Sequence, residues 1–132
     1  MRIALTTNKQ QNITDYTTVL PQELNNIPDG SVEEILCLDT IDYIPNKSDI
    51  FTVLAKKLRY NGTIIIHGVE LYLVCKGFSD GELTFDETNN FLSGKSLLTT
   101  IDCKLHINNN NLTIISQDLN GYSYAFKAVR YA

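Results

Sequence analysis

Two aspartates three residues apart, Asp39 and Asp42, follow the apolar run at 34–38, and His67 follows the β-branched run at 63–66. The carboxyl ends of adjacent strands are where open α/β sheets bind ligands. At such an edge Asp39 and Asp42 suit a paired acid site or a substrate contact, with Tyr43 beside them, and His67 suits a general base close to Asp39. The same residues also have plain structural uses. Asp39 can cap the segment that follows it, and a lone histidine at a strand end often serves as a hydrogen-bonded structural residue. A third polar group, Thr6-Thr7-Asn8, follows the first apolar run. Its side-chain oxygens suit a small polar ligand, or simply a solvated loop. No Ser-His-Asp, Cys-His or phosphate-loop constellation can be drawn. Cys37, Cys75 and Cys103 form no C-x-x-C pair and read as buried free thiols. With two histidines, no metal site is expected.

Elements must place these residues. Hydrophobic patterning predicts strands near 2–6, 16–19, 34–38, 63–66, 112–117 and 122–130. Pro21 stops the second strand, and Ile27-Pro28-Asp29-Gly30 is a turn. A helix follows Pro45-Asn46-Lys47, capped by Ser48 or Asp49, with Ile50, Val53, Leu54 and Leu58 on one face and Asn61-Gly62 at its end. Residues 69–76 read as helical, although the Leu-Tyr-Leu-Val run also suits a strand. Thr84-Phe85-Asp86-Glu87 is a capping box for a short helix to about Leu92. Thr99 opens a weaker helical pattern over 101–107, closed by the asparagines at 108–111. Asp118-Leu119-Asn120-Gly121 signals a hairpin whose second strand alternates Tyr122, Tyr124, Phe126 and Ala128 on a core-facing side.

Bulk properties narrow the classes. The 132 residues suit one domain, spanning 1–132, and 43% hydrophobic residues support a single core. A net charge of −4 and only three arginines argue against a nucleic-acid partner. No run nears the roughly 20 apolar residues of a membrane helix, and the first residues lack an apolar leader, so no membrane association and a cytoplasmic location are the expectation.

The order of elements resembles the second half of a class I S-adenosylmethionine (SAM)-dependent methyltransferase. Ile27-Pro28-Asp29-Gly30-Ser31-Val32-Glu33-Glu34-Ile35-Leu36 is similar to that family's lead into its fourth strand. Asp39-Thr40-Ile41-Asp42-Tyr43-Ile44-Pro45 resembles the segment after that strand, with Asp42 at its glutamate position. Ala55 to Ile66 resembles the helix-to-fifth-strand passage, with Tyr60-Asn61 in place of Pro-Gly. Phe91-Leu92-Ser93-Gly94 and Leu119-Asn120-Gly121-Tyr122 also look like small members of the group. The likeness runs from about Tyr16 to the carboxyl terminus.

The resemblance implies an α/β, three-layer fold with a mostly parallel sheet and a C-terminal antiparallel hairpin. It implies SAM as cofactor, with Thr6, Thr7, Asn8, Asp39 and Thr40 at the cofactor positions and Asp42 and Tyr43 toward substrate. In an active member, Asp39 or His67 would stand near the acceptor of an in-line displacement. The family's glycine-rich turn, however, corresponds here to Leu5-Thr6-Thr7-Asn8-Lys9-Gln10, and no glycine precedes Gly30. Only glycine lets the main chain approach a ligand so closely. About ten residues separate Thr6 from Tyr16, near the minimum for a parallel crossover. The expectation is therefore a truncated domain lacking most of the N-terminal cofactor-binding half, with a degenerate SAM site and little or no methyl transfer. The alternative is a non-catalytic interaction or regulatory module. Either way the truncated side of the sheet is left open, which implies a homodimer.

Overall fold

The computed structural model describes residues 1–8, 10 and 12–131. Six strands form one sheet in the order β2-β1-β3-β4-β6-β5. They are β1 (Arg2–Leu5), β2 (Thr17–Val19), β3 (Val32–Leu38), β4 (Leu58–Val69), β5 (Leu112–Asn120) and β6 (Ser123–Arg130). The first four are parallel, and β6 runs antiparallel between β4 and β5. The mixed α/β sheet with its closing hairpin is the architecture expected from the sequence. Four helices accompany it: α1 (Lys47–Lys57), α2 (Leu71–Ser79), α3 (Phe85–Leu92) and α4 (Thr100–Asn109).

Alternation along the strands decides which face carries the core. Ile3, Leu5, Ile35, Cys37, Ile64, Ile66, Tyr124, Phe126 and Ala128 point to one side and are buried with Phe51 and Leu54 of α1 and Cys103 and Ile107 of α4. Full burial of a side chain the size of Phe51 or Leu54 contributes about 1.5–3 kcal/mol. The other face has a different cover. On it the Tyr16 phenol sits with Glu34 and Arg2. Under it Ala4 is buried. Farther along the sheet Leu38 is 37% exposed, Ile115 of β5 is 48% exposed, and the His67 ring faces solvent. Helices α2 and α3 sit at the carboxyl end instead, where Val74, Leu83, Phe91 and Leu92 pack on Val69 and Tyr122. Among the described residues, no helix is long and apolar enough to cross a membrane.

Several boundaries differ from expectation for identifiable reasons. Asn46, rather than Ser48 or Asp49, caps α1. Its Oδ1 accepts from the Asp49 N–H at 3.2 Å, while its Nδ2 donates to Asp49 Oδ2 at 2.7 Å. That helix stops at Lys57, four residues before Asn61. Asn61 does take the left-handed conformation (φ 64°), but inside β4, at a bulge opposite Val32–Glu34. Gly62 completes the bulge, because a β-carbon there would meet the carbonyl oxygens of Arg59 at 2.8 Å and Val32 at 3.0 Å. The hairpin turn is Gly121-Tyr122, one residue later than Asn120-Gly121, since Asn120 pairs with Ser123. Residues 71–79 resolve the helix-or-strand ambiguity as helix α2. The capping boxes at Thr84 and the cap at Thr99 form as read. Of the three thiols, Cys75 is exposed on α2 rather than buried.

Candidate functional site

The strand order reverses direction between β1 and β3, so the crevice outside their carboxyl ends is the natural ligand position of this fold. Thr6, Thr40, Asp39 and the end of β4 surround it. Their polar groups mostly bond one another. The Thr6 N–H continues the β1–β2 pairing to the Val19 carbonyl at 2.9 Å. The Thr6 hydroxyl, itself buried, exchanges 3.0 Å hydrogen bonds with the main chain of Asn8. Thr40 is buried as well. Its hydroxyl donates to the Leu5 carbonyl at 2.6 Å, lacing the loop after β3 to the end of β1. The side chains of Thr7 and Asn8 lie on the surface.

Asp39 and Asp42 are not a matched pair. Asp39 takes the left-handed conformation (φ 61°) and is exposed, and its N–H extends the β3–β4 ladder to the His67 carbonyl at 3.0 Å. Thr40, not Asp39, is the cap position of the following 3-10 turn, Ile41–Tyr43. Asp39 and His67 therefore meet through main chain. The His67 ring instead lines a cleft of about 260 Å³ with Asp118, Asn120, Ser123, Tyr124 and Ala125 on the open face. Tyr43 is 48% exposed, with the Lys95 ammonium 5.7 Å from its ring centroid.

Asp42 turns inward and is 1% exposed. Its Oδ2 accepts the Val69 N–H at 3.0 Å, and its carbonyl accepts the Ser96 N–H at 2.7 Å. Among the described residues Oδ1 has no hydrogen-bond partner, and the buried Tyr124 hydroxyl is met by the Cys103 thiol. Both stand over Gly68, where a β-carbon would come within 2.5 Å of Tyr124 Oη and 2.9 Å of Asp42 Oδ1. Burial pushes the Asp42 carboxyl up to about 6, and the Asp39 charge adds to this, while the Val69 N–H, Lys47 and Lys95 act the other way. The Lys47 ammonium is held by the Ile41 and Ile44 carbonyls of the same turn. Burial also pushes the Cys103 thiol up to about 12, and it drives the Tyr124 phenol upward too.

The structure thus gathers Asp42, Gly68, Tyr124 and Cys103 inside the core and leaves Asp39, Tyr43 and His67 on the surface. Gly68 and Tyr124 were not singled out in the sequence as site residues. Gly68, a glycine within a strand pattern, is a signal for close approach of another group. Tyr124 carries no such signal, because its place in an aromatic stripe reads as packing.

Solved structures share this fold. In the Haloferax volcanii complex of the Trm112 methyltransferase activator with a methyltransferase, a chain matches over 93% of this one with a TM-score of 0.65 at 10% identity. The fold is that of the class I SAM-dependent methyltransferases. A SAM-dependent methyltransferase from Thermotoga maritima matches 87% of the chain with a TM-score of 0.64 at 11% identity. The magnesium protoporphyrin IX methyltransferase of Synechocystis, solved with bound SAH, matches 87% with a TM-score of 0.62 at 20% identity. The chain spans 65%, 64% and 51% of the lengths of these methyltransferase-fold neighbours. No protein-family model and no curated relative matches the sequence.

Proposed function

We propose that this chain is a methyltransferase-like domain that does not hold SAM in its own crevice and that acts as a binding module. One observation carries the reading: the Thr40 hydroxyl bonds the Leu5 carbonyl at 2.6 Å across the point where the strand order reverses. A nucleoside cofactor at that crevice needs main-chain atoms free to face it and a glycine turn that lets it approach. Here the turn carries Thr6 and Thr7, and their neighbours' polar groups are engaged in closing the crevice. Asp39 and His67, the residues suited to a catalytic role, are linked only through main chain. The residues present do not fit SAM in the manner of the fold.

A second copy of the chain is the partner we favour for such a module. The partly exposed Leu38 and the exposed His67 lie on the face of the sheet away from α1 and α4, and Ile115 at the β5 bulge is half-exposed. Strand β2 itself, three residues long, offers a poor edge for pairing.

Titration calorimetry with SAM and with its demethylated product tests the first reading. The expected outcome is no saturable heat up to millimolar ligand. Binding tighter than about 100 µM, roughly −5.5 kcal/mol, would sink it.

A further inference from the structure

The amino edge of the sheet, opposite the crevice just described, holds a cleft of about 480 Å³ lined by Asp29, Gly30, Lys56, Arg59, Tyr60 and Arg130. A second hollow of about 200 Å³ shares Lys56 and Arg130 and adds Thr52 and the asparagines at 109–111. We propose that this cleft binds a small phosphorylated molecule, with Lys56 and Arg59 as its principal contacts and Arg130 as the fixed charge at its floor.

Charge placement supports the site. Lys56, Lys57, Arg59 and Arg130 gather here out of 11 cationic residues in a chain of net charge −4. Lys57 is neutralised by Asp29 at 2.8 Å. The Asp29 carboxyl is held below its ordinary range by Lys57 first, and the charges of Lys56 and Arg130 also reach it. Three cationic groups then face a space whose volume falls in the range of small-molecule sites.

The bonding of each group sorts their roles. Arg130 donates to the carbonyls of Leu58 at 2.6 Å, Ala55 at 3.2 Å and Lys56 at 3.3 Å, all through one nitrogen. It thereby closes the end of α1, and its guanidinium lies 4.8 Å from the Tyr60 ring centroid. This orders the guanidinium without using its remaining donors. Among the described residues Arg59 pairs with Glu33, at 3.4 Å, and Glu33 also has Arg2 at 3.0 Å. Lys56 is exposed, and among the described residues neither it nor Arg130 has a carboxylate within ion-pair distance. The Gly30 N–H is engaged by the Lys56 carbonyl at 2.9 Å, so recognition rests on side chains. A phosphate monoester near neutral pH carries close to two negative charges and three oxygens, which suits two mobile cations above a fixed one. A carboxylate brings a single charge and suits the group less well.

Backbone-amide NMR titration of the full chain in about 150 mM salt tests the site with inorganic phosphate, glucose 6-phosphate and acetate as probes. Saturable shifts at 30, 56–60 and 130 with either phosphate probe, and weaker response to acetate, are expected. Tighter binding of glucose 6-phosphate than of inorganic phosphate assigns an esterified ligand, and equal binding assigns the phosphate group alone. The exposed double variant Lys56→Gln/Arg59→Gln, checked for an unchanged melting temperature, should lose at least tenfold in affinity. Non-saturating shifts up to about 10 mM phosphate, acetate binding equal to phosphate, or full retention in the double variant would each overturn the proposal.

Discussion

Asp42 is the residue whose chemistry the sequence concealed most. Its spacing from Asp39 suggests a partner at a solvent-facing edge, yet three residues of 3-10 turn carry it under the loop and against Val69 and Gly68. That burial depends on a long-range approach of β6, which no local pattern encodes. The consequence is a pH effect of defined sign. With the carboxyl shifted from an ordinary 3.8 to about 6, the folded state binds the proton more tightly than the unfolded chain. Ionisation therefore opposes folding: this contribution is fully present below about pH 4 and is lost as pH rises through about 6, on the order of 3 kcal/mol. Asp42→Asn keeps an acceptor for the Val69 N–H and supplies a donor toward Oη of Tyr124. Urea unfolding at pH 4 and pH 7 should show the variant gaining on the parent at pH 7 and matching or trailing it at pH 4. Parallel pH curves for the two proteins would refute the assignment.

At the scale of elements, local signals were the reliable ones. The Thr84 capping box forms with both reciprocal bonds, Glu87 N–H to Thr84 Oγ1 at 3.1 Å and Thr84 N–H to Glu87 Oε1 at 3.0 Å. Each of the six strands overlaps the segment where apolar patterning puts it, because alternation reports a buried face directly, but β4 begins at Leu58, well before the expected 63. What patterning missed are choices among equally suitable neighbours. Asn46, Ser48 and Asp49 are all good caps, and only the exit angle of the 3-10 turn selects Asn46. Asn46→Ala should thus lower stability by about 1 kcal/mol in urea melts, while Ser48→Ala changes it by about 0.5 kcal/mol or less. An equal loss at both positions would show that the cap is shared. Of the Asn61-Gly62 pair only Asn61 takes the left-handed conformation, and it does so in a strand bulge rather than at a helix end. Left-handed residues serve strand bulges as well as helix ends, and sequence alone does not separate the two uses.

For the whole molecule, the expectation of a short, partly open sheet rests on one length, the gap between Thr6 and Tyr16, and the described residues of that gap form no helix or strand. If the uncovered face joins two copies, light scattering on a sizing column at about 100 µM should give twice the monomer mass. The pair Leu38→Lys with Ile115→Lys should return it to monomer without changing the melting curve of the fold. A monomeric parent would remove the dimer. The β1–β2 connection also has an electrostatic consequence. A crossover helix would aim its amino terminus, a partial positive charge, at the crevice beside β1, where folds of this kind favour anions. Here that end of the sheet has no such pole from the β1–β2 connection among its described residues, and Asp39 and Asp42 occupy it. Meanwhile Lys56, Lys57, Arg59 and Arg130 stand at the opposite rim, around the carbonyl end of α1. The larger group of cations thus sits at the rim away from the switch point, while Lys47 and Lys95 are the cations beside Asp42 at the other end. A negatively charged visitor drawn to the larger group arrives at the amino edge, away from the crevice where the fold's ligands ordinarily sit.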